Sequence, residues 1–153
     1  MLANEKQIAS VHVEKNKASF VASELQIEQP LYVDMGEVRF LGSTHVPQTL
    51  RRSEPLSIGL YWRARAKPQD DYLAVVQLRD SNGQVVLEQA ARPASGTYPT
   101  TEWNVGEVLL DWHDLKVPPT LAAAKYQIAV LLRDAATGKA LGETVISSIS
   151  VVN

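Results

Sequence analysis

The chain has 153 residues, of which 45% are hydrophobic and 21% are charged, and its formal net charge is −2. This length suits one domain with a substantial core, and the two fractions exclude wholesale disorder. A chain this close to neutral lacks the positive charge that holds a polyanion, so we predict no nucleic acid partner. There are no cysteines, which excludes disulfides, thiol catalysis and zinc–thiolate sites.

The amino-terminal region gives no membrane or secretion signal. No run approaches the roughly 18 apolar residues that cross a bilayer, so we predict no direct membrane span in this segment. The residues after Met1 lack the basic region and apolar core of a signal peptide. These features fit either a cytoplasmic protein or a segment of a longer chain. Residues 1–20 are mostly polar and are predicted to form a tail, a linker or an edge strand.

Alternation of apolar and polar residues with a period of two recurs from residue 21 onward. The clearest case places Leu56, Ile58, Leu60, Trp62 and Ala64 on one face of a strand, which assigns Trp62 to the core. Other strands are predicted at 21–28, 37–41, 72–79, 85–89, 107–112, 125–133 and 140–151, with a short one at 8–13. Turn-forming residues separate these segments, and the Ala-rich stretch at 120–125 is too short for a helix. The pattern predicts that 21–153 form a single all-β domain, an antiparallel two-sheet β-sandwich (jelly-roll or immunoglobulin-like) of about 8–9 strands.

One hairpin motif occurs twice, at residues 72–83 and at residues 126–138. Each copy begins with Tyr, continues after five residues with Leu-Arg-Asp, and reaches Gly in the following turn. The Asp is predicted to begin the turn by accepting a backbone N–H, and the Gly to adopt a positive φ. The two hairpins are either equivalent parts of the two sheets or neighbours in one sheet. The copies are too short to distinguish internal duplication from the same turn chemistry used twice.

The sequence contains no recognisable catalytic machinery. There is no nucleophile elbow, phosphate loop or metal-binding pair of histidines, so we predict a non-catalytic protein without a cofactor. Asp111 and His113 would share one face of a strand and could begin a metal site, but the sequence offers no third ligand. An ordinary charged strand end at the surface is therefore favoured, and no metal is predicted. The basic residues between 51 and 67 are interpreted as solvated strand faces. A carboxylate pair for glycoside hydrolysis is a weaker alternative, because such pairs are spatial rather than sequential.

Aromatic residues surround the stretch from Gly96 to Glu107. Exposed Trp and Tyr rings form stacking platforms for sugar rings, which makes glycan contact the first functional hypothesis. It predicts the following binding residues: Tyr98, Trp103, Asp111, Trp112 and His113. The favoured alternative is that these rings close the end of the sandwich over its core. A second functional hypothesis is a structural or protein-interaction module that acts through a sheet edge or an apolar patch.

Three blocks of residues, at 60–83, 93–111 and 115–138, resemble a known family. The most specific block is Gly-x-Tyr-Pro-Thr-x-x-Trp-x-x-Gly-Glu over residues 96–107. Together the blocks resemble the soluble C-terminal domain of bacterial multi-span membrane proteins, either glycosyltransferase-like (of the dolichyl-phosphate-mannose–protein mannosyltransferase type) or uncharacterised. The resemblance implies an accessory β domain at the extracytoplasmic face of the membrane, with catalysis in the membrane-embedded part of the parent chain. It also implies that the parent chain, a glycan or a lipid-linked sugar is the partner.

Overall fold

The computed structural model describes residues 27–153 and, before them, two short strands at 12–14 and 17–20. Within these ranges the chain forms eleven strands and two short 3-10 turns, at Pro93–Gly96 and Thr100–Glu102. The strands are β1 His12–Glu14, β2 Lys17–Phe20, β3 Gln29–Met35, β4 Val38–Ser43, β5 Thr49–Arg51, β6 Pro55–Ala64, β7 Tyr72–Arg79, β8 Val85–Ala91, β9 Val108–Lys116, β10 Ala124–Asp134 and β11 Ala140–Val152.

The strands form two sheets, which confirms the predicted all-β sandwich. The six-stranded sheet has the order β1-β2-β9-β6-β4-β3, and the five-stranded sheet has the order β5-β11-β10-β7-β8. Neighbouring strands are antiparallel except for β5, which runs parallel to β11. Strands β3 and β5 were not predicted, and most of the strand predicted at 21–28 lies outside the described residues. The stretch at 120–125 forms no helix, and a turn links Pro118 to Leu121 there.

The core lies between the two sheets, and strand β6 contributes one whole face to it. Its alternating residues Leu56, Ile58, Leu60, Trp62 and Ala64 are all buried, as the period of two predicted. The Trp62 ring is fully buried, with its centroid 5.1 Å from that of Phe40 and the planes tilted by 54°. Tilted aromatic pairs of this kind add to the free energy gained from apolar burial.

The two copies of the hairpin motif are neighbours in the five-stranded sheet. They form β7–β8 and β10–β11, and β7 pairs with β10 in antiparallel register. Val76 and Val130 occupy equivalent positions in the two copies, four residues after Tyr72 and Tyr126, and they pair directly with each other. A local pseudo-twofold axis therefore passes between these two valines, so that each copy packs against the other through the same residues.

The turns of both copies have the predicted chemistry. The Asp80 carboxylate accepts the backbone N–H groups of Asn82 and Gln84, each at 2.9 Å. Asp134 accepts those of Ala136 and Thr137 at 2.8 and 3.0 Å, and these bonds lower the pKa of its carboxyl. The glycines at 83 and 138 have φ values of 80° and 76°. Turn formation thus explains why an Asp stands at the equivalent position of each copy, Asp80 and Asp134.

The outer face of the five-stranded sheet carries a polar network over a small apolar cluster. Glu88 on β8 accepts hydrogen bonds from Arg133 and Gln77, and the buried side chains of Val75 and Leu131 lie on the same face. The bonds from Arg133 and then Gln77 lower the pKa of the Glu88 carboxyl.

This network predicts a specific loss of stability in acid. Because the folded-state pKa of Glu88 is lowered, its ionised form stabilises the fold above its ordinary pKa of about 4.3, and that contribution disappears as the pH falls through the lower folded value. Glu88→Gln is expected to flatten the decline of unfolding free energy over this acid range, as measured by urea unfolding at successive pH values. Glu102→Gln, at an exposed carboxylate, is the control and should follow the wild type. Parallel curves for wild type and Glu88→Gln would contradict the assignment.

Candidate functional site

The aromatic block at residues 96–107 closes one end of the sandwich. Trp103 is fully buried, and its indole N–H donates to the backbone carbonyl of Tyr98 at 2.9 Å. The Tyr98 ring is also buried, and its hydroxyl donates to the Glu107 carboxylate. Burial and then the bond to Glu107 raise the pKa of the Tyr98 hydroxyl. The two rings therefore cover the core, which is the alternative favoured from the sequence, and they are not available for stacking.

Other residues of the block fix it to neighbouring elements. The Thr100 hydroxyl donates to the carbonyl of Asp70 at 2.8 Å and accepts the backbone N–H of Tyr72 at 3.0 Å. Gly106 has a φ of 86°, which glycine adopts without strain, and its N–H donates to the Ala64 carbonyl at 2.9 Å. The Gly-x-Tyr-Pro-Thr-x-x-Trp-x-x-Gly-Glu motif is thus explained by local structure.

Asp111 and His113 share one face of β9, as predicted, but that face is the inner one. Their side chains are 1% and 2% exposed, so the prediction of a charged strand end at the surface is wrong. The reason is strand parity, because Leu109 and Leu115 point to the same side and are core residues. His113 Nε2 lies 2.6 Å from the Asp111 carboxylate.

The Asp111 carboxylate organises this end of the core. It accepts the Trp62 indole N–H at 3.3 Å and the backbone N–H of Ala94 at 3.0 Å, in addition to its contact with His113. The other ring nitrogen of His113 lies 2.6 Å from Gln89 Oε1 on β8, which connects the two sheets. Ala94 and the following Ser95 have φ values of 54° and 56°, a conformation that costs energy for non-glycine residues. The Asp111 carboxylate therefore holds a strained turn in place. Across residues 27–153, no group of three or more candidate metal ligands occurs.

Four of the five predicted binding residues are therefore inaccessible to a glycan. All four side chains are buried: Tyr98, Trp103, Asp111 and His113. The inward parity of β9 and the closure of its preceding loop remove these four side chains from solvent, so they offer no exposed surface for stacking on a sugar. That they contact a ligand stays a prediction.

Trp112, the fifth predicted residue, lies on the outer face of the six-stranded sheet and is 55% exposed. It pairs across the sheet with Gly59 on β6. A Cβ atom at Gly59 would lie 3.3 Å from Trp112 Cη2, 2.7 Å from Thr44 Cγ2 and 2.9 Å from Leu110 Cδ1. The φ of Gly59 is ordinary, so the absence of a side chain is what matters here. It allows the far edge of the indole to approach the sheet at Gly59, while more than half of the Trp112 side chain stays exposed.

Polar groups lie beside this ring. Asp114 is two residues further along β9 on the same outer face, about 7 Å away, and it pairs with Ser57 on β6. The Ser57 hydroxyl donates to the Asp114 carboxylate, and both residues are exposed. The carboxylate retains free acceptor capacity after this bond. We name the set Trp112, Gly59, Ser57 and Asp114 the Trp112 platform.

A hollow of about 340 Å³ lies beside the aromatic block, and the residues that line it include Asp70, Tyr72 and Asp134. Strand β8 forms an edge of the five-stranded sheet and exposes Val85 and Val86. The hypothesis of a protein-interaction module that uses a sheet edge stays a prediction.

Comparisons with known proteins establish the fold and no family. No family model and no curated protein sequence matches the chain. Among solved structures, the C-terminal domain of wzt superposes with a TM-score of 0.62 and 12% identity, over 82% of this chain and 80% of that one. The chain is a β-sandwich of that general kind. At this identity the likeness shows the fold alone.

Two further likenesses are weaker. One is to the Pseudomonas fluorescens alkylpurine DNA glycosylase AlkC bound to DNA containing an abasic site analog. Its TM-score is 0.48 at 12% identity, and the match covers 76% of this chain but only 31% of that one. The other is to a domain of the outer membrane lipoprotein Omp28 from Porphyromonas gingivalis, with a TM-score of 0.44 at 12% identity over 84% of this chain and all of that one (100%). Neither carries a functional argument.

The comparisons support a β-sandwich domain but give no support to a mannosyltransferase-like parent chain. Among the described residues, no helix has the length and apolar character needed to cross a membrane.

Proposed function

We propose that this chain is a non-catalytic module that contacts glycans through the Trp112 platform. The observation that carries the proposal is the indole of Trp112, which is 55% exposed on the outer face of a sheet and reaches over a glycine. The indole continues the apolar surface of the partly buried Tyr61 and Leu110 on the same outer face, and a contiguous exposed apolar patch favours a binding role.

The chemistry of the platform suits a sugar. A pyranose ring has an apolar face that packs on an aromatic ring, and its rim of hydroxyl groups needs hydrogen-bond partners. The Asp114 carboxylate accepts such hydroxyl protons, and the Ser57 hydroxyl beside it can both donate and accept. A ring that is already held close to the sheet loses little side-chain entropy on binding.

Trp112→Ala is expected to weaken glycan binding by about 30-fold or more, because an aromatic anchor at the centre of a small contact carries about 2 kcal/mol. Binding is measured first on a broad glycan array and then by calorimetric titration of the best oligosaccharide. Trp112→Phe retains a ring and should keep most of the affinity.

Val145→Ala is the matched control, since Val145 is an exposed apolar residue on the other sheet. It should bind like the wild type. Failure of the wild-type chain to bind any glycan, or equal affinity of the wild type and Trp112→Ala for the best one, would overturn the proposal.

We also propose that the module is an accessory part of a larger, membrane-associated protein at the extracytoplasmic face. The support is the motif resemblance of residues 60–138 to the C-terminal domains of bacterial multi-span membrane proteins. Reading the complete gene tests this directly. Apolar spans encoded in the same reading frame are expected, and a reading frame without any would contradict this part of the proposal.

A further inference from the structure

A cluster of arginines lies on the same outer face as the Trp112 platform, toward the other end of β6. Arg39 on β4 and Arg63 on β6 pair directly across the sheet. With Arg65 they line a hollow of about 300 Å³ that is completed by Val105 and Gly106. Like charges placed opposite each other on neighbouring strands repel, so this arrangement is unfavourable without a compensating anion.

Among the residues that the structure describes, one carboxylate pairs with these three cations. Asp34 lies 2.6 Å from Arg39 and 3.4 Å from Arg65, and the first of these contacts lowers the pKa of Asp34. Arg65 also donates to the carbonyl of Gly36 at 2.6 Å. Arg63 is exposed, and its guanidinium makes no hydrogen bond or ion pair within the described part of the chain. The hollow therefore keeps an excess of positive charge, with one guanidinium free to bind.

We propose that this hollow receives the anionic group of the glycan that stacks on Trp112, which makes the ligand class an acidic glycan. The inference rests on the proposed function. Gly59 below the indole and Arg63 are four residues apart on one face of β6, so the two contacts are separated by about 13 Å, which an oligosaccharide can span. Two partly buried side chains, Tyr61 and Leu110, lie on the same face between them.

The geometry of the Arg63 guanidinium indicates which anionic groups it binds best. A guanidinium presents two parallel N–H groups that match a carboxylate or a phosphate. The chain as a whole carries a net charge of −2, so these arginines form a local concentration of positive charge and not part of a generally basic protein. A local positive site beside an aromatic platform favours a sugar with one acidic substituent over an extended nucleic acid.

The test compares acidic oligosaccharides found on the array with their own neutral forms. Each uronate is also prepared with its carboxyl groups reduced to hydroxymethyl groups, and each phosphorylated sugar is also prepared after phosphatase treatment. The wild type is expected to prefer the acidic form by about tenfold, because a charge-assisted pair is lost in the neutral form. Whichever class shows the larger preference identifies the anion as carboxylate or phosphate.

Arg63→Gln is expected to abolish this preference while the affinity for the neutral form stays unchanged. Arg51→Gln is the matched control, since it removes one exposed positive charge from β5 in the other sheet, and it should retain the preference. Trp112→Ala should weaken binding of both forms.

The outcomes separate this inference from the proposed function. Trp112-dependent binding with equal affinity for acidic and neutral forms would overturn the acidic class and leave the glycan module in place. Binding of acidic sugars that depends on Arg63 but not on Trp112 would show that the two contacts do not share a ligand. Equal or tighter binding of a single-stranded oligonucleotide through Arg63 would assign the hollow to nucleic acid and overturn the inference.

Discussion

Replacement of Asp111 by alanine is expected to reduce the free energy of unfolding by about 3–5 kcal/mol, which is the cost of removing one member of a buried polar network. The carboxylate is 1% exposed and accepts from Trp62, Ala94 and His113. Without it these donors remain buried with no acceptor, and the strained turn at Ala94 loses the bond that holds it.

Urea unfolding followed by far-ultraviolet circular dichroism measures this loss. Asp111→Asn keeps an acceptor oxygen of the same shape and should cost less than the alanine variant. Asp114→Ala is the matched control, because Asp114 is an exposed carboxylate on the outer side of the same strand, and it should cost less than about 1 kcal/mol. Similar losses for Asp111→Ala and Asp114→Ala would show that the network does not organise the core.

Replacement of Trp103 by alanine should have a comparable effect, about 3–5 kcal/mol, because it removes a fully buried indole and leaves a cavity at the end of the sandwich. The bond from its N–H to Tyr98 is lost as well. Trp103→Phe fills part of the space and is expected to cost less.

Trp112→Ala is the counterpart of this variant, since it removes the same side chain from an exposed position. Its unfolding free energy should stay within about 0.5 kcal/mol of the wild type. The pair therefore distinguishes the two roles of tryptophan in one chain. A larger loss from Trp112→Ala than from Trp103→Ala would contradict the assignment of Trp103 to the core and of Trp112 to the surface.

The sequence predicted the strands whose pattern is simple. Strand β6 alternates apolar and polar residues, so its inner face could be identified residue by residue. The hairpin turns were also predictable, because Asp and Gly stand where the backbone needs an acceptor and a positive φ. Strand β3 was missed because Pro30 and the left-handed Tyr32 interrupt its pattern, with an irregular register between Pro30 and Val33. Strand β5 is only three residues long.

The candidate site was harder because β9 inverts the usual pattern. Its inner face carries the polar Asp111 and His113, and its outer face carries the apolar Leu110 and Trp112. Hydrophobicity alone therefore assigns these residues to the wrong sides. The parity of the buried Leu109 and Leu115 was the available signal, since it places Trp112 on the opposite face.

The loop aromatics were ambiguous for a different reason. The local sequence is the same whether Tyr98 and Trp103 stack on a ligand or close a core. No periodicity applies within a loop, so no pattern indicates which way the rings point. Only the tertiary contacts of Thr100 with Asp70 and Tyr72, and of Tyr98 with Glu107, show that the block is a structural closure.

Fluorine NMR of protein labelled with 5-fluorotryptophan tests the central claim most directly, because the chain contains three tryptophans, of which Trp62 and Trp103 are fully buried and Trp112 is exposed. The Trp112 signal is assigned by its absence from Trp112→Phe. On titration with the best glycan from the array, the Trp112 signal is expected to shift and saturate while the other two stay unchanged. A saturable shift of the Trp103 signal with an unchanged Trp112 signal would place the binding site at the aromatic loop and contradict the account given for the Trp112 platform.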